Sequence, residues 1–188
     1  MSVDVHVDRA DFPDCENGPE DLGLDPATLR RVFGAYPTGV TALAAVVDGV
    51  PVGMAANSFT SVSLDPPLIS LSFRHESVFL ADLLETKKWA VSILGGDAEE
   101  AARRFAKDRS VRTEALAALA AEPGAHTGAL VLDGHGWLEC RLWAAQEVGD
   151  HTMVVGEVLA ATAPEPGPAL VFLHGGFHVL DRCPSSAH

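Results

Sequence analysis

Residues 53–67 read GMAANSFTSVSLDPP. The stretch follows a run with strand character, sets Asn57, Ser58, Thr60, Ser61 and Ser63 within seven residues, and ends in Asp65-Pro66-Pro67. An amide and hydroxyls at this density are costly in a buried strand unless each finds a partner. Two readings supply one. A phosphate fits, because small side chains let backbone N–H groups approach it and the hydroxyls donate as well. A bend whose side chains bond to their own backbone and to water fits too.

On the N-terminal side, Val40 to Val47 is a β-rich apolar run, Asp48-Gly49 is a hairpin signal, and Val50 to Met54 starts the returning strand. Further back, Asp25-Pro26 pairs an N-cap with proline at the first helical position. The helix it opens carries Leu29, Val32 and Phe33 on one face and ends near Tyr36-Pro37. On the C-terminal side, Leu68 to Phe73 is a strand, Ser77 caps a short helix through Leu84, and Trp89 to Leu94 is a further strand. Asp97 to Lys107 reads as a helix with acids at its N-terminus and bases at its C-terminus, as the macrodipole favours. An Ala-rich helix follows from Ser110 to Ala121, stopped by Glu122-Pro123-Gly124. Strands are expected at 129–132, 137–147, 152–161, 169–173 and 177–180, with a turn at Gly149-Asp150. The βαβ alternation and the GxGxxG of a doubly wound dinucleotide fold are missing. The fold expected is mainly β with inserted helices, an antiparallel barrel.

The chain has 188 residues, enough for one domain with a sizeable core. That domain is expected over 24–182, with a flexible acidic arm at 1–23 and a short tail at 183–188. Its formal charge is -13, from 26 acidic and 13 basic side chains, so polyphosphate is repelled at long range and nucleic acid is not an expected partner. An anionic ligand must then be held by local features. No apolar run reaches membrane-spanning length. The first residues carry Asp4, Asp8, Asp11, Asp14 and Glu16 and no apolar leader, so a cytoplasmic location is expected. Cys15, Cys140 and Cys183 have no CxxC spacing, which speaks against a disulfide framework or a zinc site. His174 and His178, four apart across Gly175-Gly176, have no carboxylate or cysteine cluster beside them, and no metal is expected there.

Several blocks in order make the chain recognisable. Pro37-Thr38-Gly39-Val40-Thr41, then Gly53 to Ser63, then Asp65-Pro66-Pro67-Leu68 resemble the flavin reductases that serve two-component flavin-dependent monooxygenases. The similarity continues through Ala90 to Leu94, Ala102-Arg103-Arg104-Phe105-Ala106, Leu138-Glu139-Cys140, Gly149-Asp150-His151-Thr152 and Val155 to Val158, and closes near Leu173 to Leu180.

The resemblance implies an FMN-binding split β-barrel, a Greek-key antiparallel homodimer with its flavin in a groove near the dimer interface. It implies NADH or NADPH as hydride donor, FMN or FAD as acceptor, and a separate oxygenase that receives diffusible reduced flavin. Transferred residue by residue, Asn57, Ser58, Ser61 and Ser63 line the flavin, and Ala55 and Ala56 let its ring approach the strand. Thr38 flanks it, as do Ser72, Phe73, Arg74 and Ser77 of the segment from Ser72 to Ser77. His151 borders the nicotinamide site, or is a solvated turn histidine. Phe177 stands near the ring, or packs in the core. Arg104, one of five bases between Arg103 and Arg112, reaches a phosphate, or the five only offset the carboxylates and dipole of their own helix. Because the cofactors carry the hydride chemistry, no side chain is expected as nucleophile or indispensable proton shuttle. The alternative function is a flavin-binding split barrel that carries or stores flavin without oxidising nicotinamide.

Overall fold

A computed structural model describes residues 23–118, 121–132, 136–163 and 167–181. The expected arm, save Gly23, and the C-terminal tail lie outside the described residues. Helix α1 (Pro26–Gly34) starts where Asp25 accepts bonds from the N–H groups of Ala27 at 3.2 Å and Thr28 at 3.0 Å. After the two-residue β1 (Thr38–Gly39), strands β2 (Thr41–Val47) and β3 (Val50–Ala56) form a hairpin. Its turn residues Asp48 and Gly49 both have positive φ, 50° and 78°, the conformation a tight twisted hairpin demands. Strands β4 (Thr60–Leu64) and β5 (Pro67–Arg74) come next, followed by α2 (Val78–Thr86), capped by Ser77, and β6 (Lys88–Ile93). Helices α3 (Glu99–Phe105) and α4 (Arg109–Ala118) lead to a small hairpin, β7 (Ala121–Pro123) and β8 (Leu130–Leu132). Long strands β9 (Gly136–Val148) and β10 (His151–Thr162) follow, then the closing hairpin of β11 (Ala169–Leu173) and β12 (Gly176–Leu180).

Three elements differ from the sequence reading. Residues 60–64 form a strand rather than a bend, because β4 is a sheet edge on which the hydroxyls of Thr60 and Ser61 face solvent. Residues 121–123 form β7 instead of ending the Ala-rich helix. Helix α3 begins at Glu99, and its cap residue Ala98 offers no side-chain bond, so Asp97 plays no capping part.

Seven strands pair in the order β3-β2-β6-β9-β10-β5-β4, all antiparallel. The outermost two, β3 and β4, are joined by only Asn57, Ser58 and Phe59. Laid flat, the six gaps between seven strands span about 29 Å. The chain from Ala56 to Thr60 reaches at most about 14 Å. The sheet must therefore roll until its edges nearly meet, which makes it a barrel with an open seam. A three-stranded sheet, β1-β11-β12, packs beside it.

The inside of the barrel holds Leu43, Leu71, Phe73, Trp89, Val91, Cys140 and Val154, closed by Phe79, Leu80 and Leu83 of α2. Strand β2 buries its other face too: Ala42 and Ala44 meet Ala102 and Phe105 of α3, Leu116 of α4 and Leu132 of β8. Burial pushes the Cys140 thiol up to about 12, so it stays protonated and inert. Glu139 is a fully buried carboxylate. Burial pushes its carboxyl up, but the Thr127 hydroxyl and N–H, both at 2.8 Å, and the His126 N–H at 2.9 Å outweigh that and hold it below the usual glutamate range. No helix of the described residues is long and apolar enough to cross a membrane.

Strand β10 reaches Trp89 only because position 156 is glycine. A Cβ there would stand 2.7 Å from Trp89 Cη2, and the indole is wholly buried and has no room to retreat. Gly156→Ala is expected to destabilise the fold by about 1–3 kcal/mol. It should lower the urea midpoint without changing the slope of the transition; an unchanged midpoint would show that the ring can move.

Candidate functional site

The open seam forms a groove of about 410 Å³. One wall is the end of β3, where Ala55 and Ala56 keep the surface flat. Its last carbonyl, that of Ala56, is fixed by the Thr41 hydroxyl at 2.9 Å. The other wall is the end of β5, where Ser72, Phe73 and Arg74 lead into Glu76 and Ser77 at the N-terminus of α2. The pairing of His151 with Arg74 brings the start of β10 to the same place.

The bridge across the seam is pinned by one hydroxyl. Ser58 Oγ donates to the Ser72 carbonyl at 3.0 Å and accepts from the Ser72 N–H at 3.1 Å. Strand β4 pairs with β5 only as far as Thr60 and Ser70. The Ser58 side chain thus takes up the ladder bonds that β4 leaves open one step further along.

Arg74, Glu76 and His151 line the groove, and Asp150 stands beside His151. His151 Nδ1 lies 2.6 Å from Asp150 Oδ1. That hydrogen bond, then the histidine's charge, and further off that of Arg74, hold the Asp150 carboxyl below its usual range. With Nδ1 engaged, Nε2 is the ring nitrogen left for a ligand.

A side chamber of about 140 Å³ shares Ala55, Ala56 and Asn57 with the groove. Val40, Ala106, Phe172 and Phe177 form the rest of its wall. The two phenylalanine rings meet edge to face, 5.4 Å apart. The Arg103 guanidinium lies 5.1 Å above the Phe177 ring while Nε and Nη2 bond to Glu99 Oε1 at 2.9 and 2.7 Å.

Nine expected site residues thus line one groove: Ala55, Ala56, Asn57, Ser58, Ser72, Phe73, Arg74, Ser77 and His151. Phe177 lines the side chamber, and Thr38 pairs with Phe172 beside it. Three others lie apart. Ser61 is exposed on β4, and Ser63 accepts a bond from the Asp65 N–H at 3.2 Å within the following turn. Arg104 lines neither space; the cation over Phe177 is its neighbour Arg103. Met54, Glu76 and Arg103 were not singled out. For Arg103 a signal existed, since Glu99 lies four residues earlier and an i,i+4 pair marks a common helix face. A larger cavity, about 770 Å³, lies beside β7 and β8 around Glu139 and shares no residue with the groove.

Residues 33–181 match the model of the flavin reductase like domain. The chain belongs to the flavin reductase family. It is 39% identical over 155 residues to an NADH-dependent FAD reductase of Streptomyces globisporus, covering 81% of this chain and 85% of that one. It is 36% identical over 161 residues to the NADH-dependent FMN reductase SmoA of Agrobacterium fabrum, covering 85% and 89%. Among solved structures it is similar to BorF, the flavin reductase component of a bacterial two-component tryptophan halogenase. That match has a TM-score of 0.79 and 37% identity, over 85% of this chain and all of BorF. It is also similar to the S. globisporus NADH:FAD oxidoreductase SgcE6 in complex with NAD and FAD fragments. There the TM-score is 0.77 and the identity 38%, over 87% and 96%. The rolled, seamed sheet is the split barrel of this family.

Within this family member, Ser58 is a strut that ties the β3–β4 bridge to β5. Ser58→Ala leaves the Ser72 N–H and carbonyl without their partner and is expected to cost about 1–3 kcal/mol. Ser61→Ala, on the exposed edge, should leave the denaturation midpoint unchanged. Equal stability of the two variants would refute the strut.

Proposed function

We propose that the protein is an NAD(P)H-dependent flavin reductase that binds FMN or FAD in the seam groove and releases reduced flavin to a separate oxygenase. The observation that carries this is the meeting of Ala55 to Ser58, Ser72 to Arg74, Ser77 and His151 on one groove of about 410 Å³ in a chain of this family. That volume lies within the usual range for a small-molecule site, about 300–1,000 Å³.

The groove's residues suit a flavin. Two alanines offer a flat wall for a ring. Arg74, the Ser77 hydroxyl and the positive end of the nine-residue α2 offer charge and donors for a phosphate. Such local groups are needed against a net charge of -13. The flavin and nicotinamide supply the hydride chemistry between them. The chain's part is to hold the two rings in contact and exclude water. His151 stands at the rim with Nε2 free of Asp150, suited to a phosphate or the carboxamide of the donor. Among the described residues that line the groove none is a buried acid or base, and the transfer needs none.

The protein acts as a cytoplasmic homodimer in this reading. Val62 and Leu64 on β4, Met153 on β10 and Trp143 in the β9 bulge are all exposed, Leu64 at 95%. Met153 pairs with Ser72, and His151 with Arg74, so strand alternation puts them on one face of the sheet. A second copy covering that face borders the groove.

The test is oxidation of NADH and NADPH, followed at the nicotinamide absorbance, with FMN, FAD or riboflavin added in turn. Flavin-dependent turnover is expected with at least one pair. Flavin binding without oxidation of either nucleotide would leave a carrier or storage protein instead.

A further inference from the structure

The end of the seam groove that suits a phosphate also holds a charge of the wrong sign. Arg74, Glu76 and Ser77 line it together. Arg74 ends β5 and Ser77 caps α2, and the Ser77 N–H donates to the Arg74 carbonyl at 3.0 Å. Glu76 therefore sits inside a tight turn, between the two groups fitted for an anion. Ser77 Oγ accepts the Leu80 N–H at 3.4 Å, which leaves its O–H to donate. Glu76 is exposed, and among the described residues neither its carboxylate nor the Arg74 guanidinium has a hydrogen bond or an ion pair. Both charges are available to a ligand.

A carboxylate here offsets Arg74, and the offset depends on how much charge the phosphate carries. The flavins differ in that respect. Riboflavin has no phosphate. The phosphate of FMN is a monoester with a second ionisation near pH 6, so it carries about -1.5 to -2 at pH 7. In FAD the same phosphorus is bridged to a second one, lacks that ionisation, and carries a single charge. Repulsion between exposed like charges grows with their product. Glu76 thus acts more strongly against FMN than against FAD, and not against riboflavin. The net charge of -13 makes no such distinction, because FMN and FAD carry nearly the same total charge. Only a local carboxylate separates one phosphate with two charges from two phosphates with one each.

We infer that Glu76 sets the flavin preference of the groove, acting against the doubly charged phosphate of FMN and leaving FAD as the phosphorylated flavin bound better. The inference rests on the seam groove being the flavin site, with the phosphate at Arg74 and Ser77. Glu76 acts on which flavin enters, not on the hydride transfer.

The test is equilibrium dialysis of riboflavin, FMN and FAD against the unaltered protein, Glu76→Gln, Arg74→Gln and Glu85→Gln, at low and at high salt. The unaltered protein is expected to bind FAD more tightly than FMN. Glu76→Gln should tighten FMN about fivefold and FAD about twofold, and leave riboflavin unchanged. That gain should shrink in high salt, since it comes from charge. Arg74→Gln should weaken FMN and FAD but not riboflavin. Glu85→Gln removes the same charge about 12 Å further along α2, beyond the reach of unscreened repulsion, and should shift none of the three. Tighter binding of FMN than FAD by the unaltered protein, no gain in Glu76→Gln, an equal gain for riboflavin, or the same gain in Glu85→Gln would overturn the inference. So would Arg74→Gln without effect on either phosphorylated flavin. The expected binding pattern without oxidation of NADH or NADPH would sink the reductase reading and leave the inference standing; a protein that binds none of the three flavins ends both.

Discussion

Three residues, Asn57, Ser58 and Phe59, tie together the two edges of a seven-stranded sheet, and their short reach bends everything else to fit. The sheet cannot lie flat, so it encloses a core; the edges cannot quite pair, so a slot remains. Phe59 packs against the barrel core on one side of the slot, and Ser58 locks onto Ser72 on the other. The bridge is therefore both the constraint that rolls the barrel and the floor of the groove. Segments far apart in the chain, at 54–58, 72–77 and 151, become neighbours for the same reason.

Helices decide what surrounds that slot. Strand β2 is buried on both faces, which lets α3 and α4 pack outside the barrel while α2 fills its inside. Arg109 of α4 bonds to the Asp82 carboxylate of α2 at 2.7 Å, tying the outer helices to the inner one. Ala102 and Phe105 anchor α3 to β2, and this rotation carries Arg103 over the Phe177 ring. In a chain with twice as many acids as bases, Arg74 thus lines the groove, and Arg103 lies over Phe177, a wall residue of the side chamber.

Local chemistry was readable without the structure. Asp25-Pro26, Asp48-Gly49 and Ser77 mark caps and a turn whose cause lies within four residues. Thr60 to Leu64 was not readable, because its hydroxyls look unsuited to a strand until the strand is known to be an edge. Arg103 and Arg104 could not be told apart for a related reason: only the packing of Phe105 fixes which of them faces Phe177. The groove residues were named through the family blocks, and no periodicity could have joined Ser58 to Ser72 or Arg74 to His151. Ser61 and Ser63 sit in the same block as Ser58, yet Ser61 faces solvent on the β4 edge and Ser63 bonds into the following turn.

The hydroxyl of Ser58 has a consequence beyond holding the bridge. A barrel that stays open keeps a raw edge, and backbone groups on a raw edge can recruit a foreign strand, the route by which β-proteins stick together. At Ser72 the groups are already taken, and taken by a side chain, which cannot pass the ladder on. The slot can therefore stay wide enough to admit a flat ring yet remain closed to another chain's backbone.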